Sequence, residues 1–172
     1  MGRLAAADRR LGRAVRERIG RRPRLDRAAR VSGSVLAPVF ELLIVALVAE
    51  RPTRAAGLRA GASAVAGAAA AKALRDVIGR PRPGTRSEGG FPSRHAAAAS
   101  AIARSVAHSN RYAGRALGAV AAIGLIGRVV SAEHDPADIV AGVIVGCTAA
   151  GAINAVSDHV ATTTRCHARS RS

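Results

Sequence analysis

A chain of 172 residues is long enough for one compact domain, and no composition shift marks a second. Hydrophobic residues make up 49% but aromatics only 2%, which argues against a base-stacking nucleic-acid module and for helices that meet through Ala, Gly and Val. The formal charge of +16 comes from 26 arginines and a single lysine, Lys72, so the fitting partners are anionic: a membrane surface, an anionic substrate or a nucleic acid.

Position separates these. Eleven arginines fall between Arg3 and Arg30, ahead of the first long apolar run. That is the pattern of a positive-inside anchor; the charged stretch is too long and the apolar run too late for a cleaved secretory signal. Over residues 2–22, Leu4, Ala7, Leu11, Val15 and Ile19 share one helical face with arginines around the rest, which predicts an amphipathic helix lying in the membrane interface. The other reading of this arm, a solvated nucleic-acid-binding helix, fits poorly beside the apolar segments that follow.

Residues 34–50 form an apolar run long enough nearly to cross a hydrocarbon core, interrupted by Glu41, which is expected to be a neutral structural carboxyl. A short polar link at 51–56 leads to a small-residue helix over 57–79, with Gly57 and Gly61 in close-packing spacing. A proline-rich polar segment follows. Three further helices are predicted at 93–110, 113–132 and 137–157, the last with Gly142 and Gly146 again four apart, before a polar tail at 158–172. The expected architecture is all-α: an integral-membrane bundle of about five transmembrane helices (34–157) behind a basic arm (1–33), as a single domain over 1–172. The slight mean hydropathy of +0.14 leaves a soluble bundle of Ala-rich helices as the alternative. Cys147 and Cys166 make neither a metal-ligand nor a disulfide pattern.

The residues with chemical potential lie in three stretches beside helix ends. The first contains Arg75, Arg82 and Pro83, the second is Pro92-Ser93-Arg94-His95, and the third runs from Arg128 to His134 and Asp138. Guanidinium forks match phosphate oxygens. Ser93 suits a helix N-cap, whose free N–H groups and positive end attract an anion, with His95 in the first turn. Asp135-Pro136 reads as a second helix start, bringing Asp138 back toward His134; a carboxylate on one ring nitrogen leaves the other free to attack. One histidine attacking phosphorus and another protonating the leaving oxygen need no metal or cofactor.

These stretches resemble the signature of the type 2 phosphatidic acid phosphatase superfamily, which includes lipid phosphate phosphatases and vanadium haloperoxidases. Lys-x6-Arg-Pro is matched by Arg75 and Arg82-Pro83 with arginine for lysine. Pro-Ser-Gly-His is matched with Arg94 for glycine. Ser-Arg-x5-His-x3-Asp is matched by Arg128, His134 and Asp138 with Gly127 for serine. Together they cover about residues 72–140. The resemblance implies that Arg75, Arg82, Ser93, Arg94 and Arg128 bind phosphate, that His95 is the acid, and that His134 forms a phosphohistidine oriented by Asp138. Lys72, three residues before Arg75, is an auxiliary candidate for the usual lysine. The implied substrate is a lipid-linked phosphate monoester.

The short length and Pro-Ser-Arg-His variant are similar to small actinobacterial members, among them those acting on decaprenylphosphoryl-5-phosphoribose in cell-wall arabinan precursor synthesis. Phosphatidic acid, phosphatidylglycerol phosphate or a prenyl diphosphate would satisfy the same residues. Alternating crossings from a cytoplasmic N-terminus put the site on the cytosolic side of a bacterial cell membrane. The rival from another class is a non-enzymatic basic membrane protein binding anionic lipids. Nucleic acid is not an expected partner, and the sequence carries no signal for oligomeric state.

Overall fold

The structure, a computed structural model, describes residues 2–79 and 89–169. These residues form helices α1 (Gly2–Gly20), α2 (Pro23–Ala49), α3 (Arg54–Ile78), α4 (Arg94–Ser109), α5 (Arg111–Val130) and α6 (Pro136–Arg169), with no strand among them. The all-α bundle behind an N-terminal helix is therefore what the chain forms.

Two helices are longer than their apolar runs. Helix α2 starts at residue 23 rather than 34, because Pro23 sits at its first position and the Asp26–Arg30 pair, at 2.9 Å and one turn apart, supports the basic segment as helix. Helix α6 continues past residue 157 into the polar tail. There Thr162, Thr163 and Thr164 each donate a hydroxyl to the carbonyl four residues earlier, so their polarity is satisfied within the helix.

The other ends have local causes. Gly79, at φ 61°, takes the left-handed conformation that stops α3, its N–H bonding Arg75 O at 2.9 Å. Asn110 is both the last cap of α4 and the first of α5; its Oδ1 accepts from Tyr112 N and Ala113 N, both at 3.1 Å. The two helices thus reverse within a single residue.

Helix α4 is the centre, packed against α3, α5 and α6 and touching α2. Eight of its sixteen residues are buried, most of them alanines that let neighbouring backbones come close. The Gly142–Gly146 spacing read from the sequence is used here: a Cβ on Gly146 would lie 2.0 Å from Ala97 O, and Gly67 of α3 meets the same carbonyl.

Helices α2, α5 and residues 136–164 of α6 are long and apolar enough to cross a membrane. Helix α3, at about 37 Å, also has the length, whereas α4, at about 24 Å, is screened by its neighbours. Large apolar side chains such as Leu42, Val45, Val65, Ile123 and Ile144 point outward from several helices, each more than 60% exposed. A soluble bundle would bury such residues; a membrane protein offers them to lipid.

Candidate active site

The starts of α2, α4 and α6 and the ends of α3 and α5 meet at one end of the bundle. Ser93 is central to this junction. It is fully buried, its Oγ accepts from Ala96 N at 3.3 Å as the cap of α4, and its own N–H donates to Asp138 O at 2.9 Å. The second and third motif stretches are thereby joined backbone to backbone. Gly142 makes this possible, since a Cβ there would stand 2.4 Å from Ser93 O.

His134 and Asp138, 3% and 1% exposed, face one another with 3.5 Å between Nδ1 and Oδ2. That is long for a hydrogen bond, which runs about 2.7–3.2 Å, but within ion-pair reach. The shorter bond of Asp138 goes elsewhere: Oδ2 accepts from Asp135 N at 2.9 Å. Asp138 stands at the third position of α6 and reaches back to the N-cap amide, as the acidic member of a capping box does. The helix start fixes the carboxylate, and the carboxylate then faces the imidazole. With Nδ1 toward Asp138, Nε2 is the ring nitrogen left for a substrate.

His95 occupies the second position of α4, one residue beyond Arg94, in the turn whose amides point out of the helix start. Both line a cavity of about 470 Å³ running between α2, α3 and α4, walled by Leu36, Phe40, Ile44, Ala64, Ala98 and Ile102. Glu41, read from the sequence as a structural carboxyl, also lines this cavity.

Arg128 is 8% exposed and donates from Nη1 to Glu133 Oε2 at 2.5 Å, inside the turn between α5 and α6. Sequence reasoning passed over Glu133; its place five residues after Arg128 and next to His134 was the available signal. Arg75, in the last turn of α3, is mostly buried and lies 3.9 Å from Asp76. Lys72 is more than half exposed and pairs with that same Asp76, so its ammonium is already committed one turn away. Arg94 also acts electrostatically on Asp76, which sets the end of α3 beside the start of α4. Arg82 and Pro83 lie outside the described residues.

Two of the three departures from the superfamily pattern, at Gly127 and Arg94, have spatial reasons. At Gly127 a Cβ would lie 2.0 Å from Ala29 O and 3.0 Å from Gly33 Cα, because α2 crosses α5 at this point. A serine has no room there. Arg94 is exposed at the first position of α4, where a long side chain clears the helix and reaches the cavity mouth.

No curated protein matches the chain by sequence. Its fold matches the crystal structure of a transmembrane PAP2-type phosphatidylglycerolphosphate phosphatase from Bacillus subtilis with a TM-score of 0.77, at 21% identity over 93% of this chain and 89% of that one. The family model of the PAP2 superfamily matches residues 56–160, which contain every described candidate residue above. The chain belongs to the PAP2 superfamily and shares the fold of that transmembrane protein.

Proposed function

We propose that this chain hydrolyses a phosphate monoester on a lipid- or polyprenyl-linked substrate through a phosphohistidine at His134. The observation that carries the lipid part is the apolar cavity that opens at Arg94 and His95. A hydrocarbon chain can occupy its aliphatic walls while the phosphate stays at the polar junction.

In this reading Arg75, Arg82, Arg94 and Arg128, with Ser93 and the first amides of α4, hold the phosphate oxygens. His134 Nε2 forms the bond to phosphorus as the bond to the lipid oxygen breaks, and His95 gives that oxygen its proton. A water then attacks phosphorus, returns a proton to His95, and the N–P bond breaks to release inorganic phosphate. Asp138 stabilises the positive charge that develops on His134. None of these steps requires a metal.

Decaprenylphosphoryl-5-phosphoribose and phosphatidylglycerol phosphate are the two leading substrates: the first from the Pro-Ser-Arg-His variant, the second from the solved relative. The basic helix α1 lies at the same end of the bundle as His134, which favours a cytosol-facing site in a bacterial cell membrane. The test is phosphate release from a panel of both substrates and phosphatidic acid by detergent-purified protein in excess chelator. We expect chelator-resistant activity, an acid-labile phosphoenzyme on rapid quench, and loss of both in His134→Ala. Activity that needs added divalent metal, or that survives in His134→Ala, would overturn the mechanism.

A further inference from the structure

We infer that α1 is a clamp that positions His134, with Asp8, Gly12 and Arg16 as its positioning residues; this rests on the reading of His134 as nucleophile. These three residues, four apart, form one stripe along α1. That stripe is rotated from the apolar face formed by Leu11 and Val15, which borders a groove between α5 and α6.

Each member meets either the turn that carries His134 or a helix end that flanks it. Asp8 Oδ1 accepts from Ala137 N at 2.9 Å, filling an amide at the start of α6 from 129 residues away. Gly12 lies so near that a Cβ would stand 2.6 Å from Asp135 Oδ1. Arg16 Nη1 is 3.9 Å from Asp135 Oδ1 and donates to Val129 O at 3.3 Å, in the last turn of α5. The stripe therefore fastens both sides of the 131–135 turn, and Asp135, next to His134, is 2% exposed.

The turn needs such fastening. Ala132 has φ 55°, a left-handed conformation that a residue with a Cβ holds only where its surroundings over-determine it. Without α1 the turn keeps the Asp138–Asp135 cap but loses its outer wall. The ring of His134 is then aimed less consistently, and small errors in aim are costly in rate.

The experiment uses the full chain in detergent with short-chain phosphatidic acid, and compares wild type with Asp8→Ala, Asp8→Asn, Gly12→Leu, Arg13→Ala and His134→Ala. For Asp8→Ala and Gly12→Leu we expect kcat to fall at least ten-fold with KM within two-fold. Asp8→Asn keeps an acceptor oxygen for Ala137 N and should recover most of the loss; Arg13→Ala, exposed on α1, should match wild type. Wild-type kcat in Asp8→Ala, or no recovery in Asp8→Asn, overturns the clamp, as does a matched rise in KM. Should Asp8→Ala fail to fold, the Asn variant and Gly12→Leu decide by the same split. An active His134→Ala would instead sink the nucleophile assignment, whereas an inactive one beside a normal Asp8→Ala removes the clamp alone.

Discussion

Gly142→Ala is the sharpest test of how the site is assembled. Its new methyl carbon would fall 2.4 Å from Ser93 O, about 1 Å inside ordinary contact. Ser93 cannot yield cheaply: it is fully buried, its carbonyl accepts from Ala97 N at 3.0 Å, and its amide is bonded to Asp138 O. The first turn of α4 must therefore shift away from α6, moving His95 and the first amides of α4 about 1 Å further from His134. A misplacement of that size costs roughly 10²-fold in rate, about 2.7 kcal/mol of barrier. Overpacking of this kind also lowers stability by about 1–3 kcal/mol. The assay is kcat/KM on a short-chain lipid phosphate, with helix content and thermal midpoint measured on the same sample. Gly118→Ala is the control, because a Cβ there has no neighbour within 4 Å and should leave activity unchanged. A Gly142→Ala enzyme within three-fold of wild type would refute the backbone contact as the element that sets the site.

Two further outcomes follow from the site's walls and charges. Glu133→Gln weakens the ion pair that occupies Arg128, and should lower KM about five-fold for a pair worth about 1 kcal/mol; an unchanged or higher KM would mean that Arg128 does not exchange its carboxylate for phosphate. Ala98→Phe fills the cavity one turn beyond His95 and should lower activity on long-chain substrates at least ten-fold while sparing a water-soluble phosphate ester. Equal losses on both would separate the cavity from the lipid tail.

Much of the fold was legible because helix periodicity and apolar length are local properties. The segments at 57–79, 93–110 and 113–132 lie within a few residues of α3, α4 and α5. The start of α2 was missed because a run of arginines looks like an arm until the Asp26–Arg30 pair is counted as helical support. The extension of α6 was missed because threonines read as tail, although in a helix their hydroxyls turn back on the preceding carbonyls. At the site, the three motif stretches were visible as residues. What they share was not: Ser93 N bonding Asp138 O joins segments 45 positions apart, and no periodicity encodes that. Asp8 was invisible for the same reason, being one acid among arginines until α6 comes to meet it. Gly127 was read as a departure from a motif, but its cause is α2 crossing α5.

The single-residue reversal at Asn110 makes the separation of His95 and Arg128 a matter of counting. Fifteen positions lead from His95 to Asn110 and eighteen return to Arg128, about 22 Å out and about 27 Å back along rigid rods. With no slack in a loop, an inserted or deleted residue in either rod would swing one partner by about 100° and about 1.5 Å, out of register with the other. The length of this hairpin, not the side chains on its outer face, fixes where His95 and Arg128 stand along the bundle.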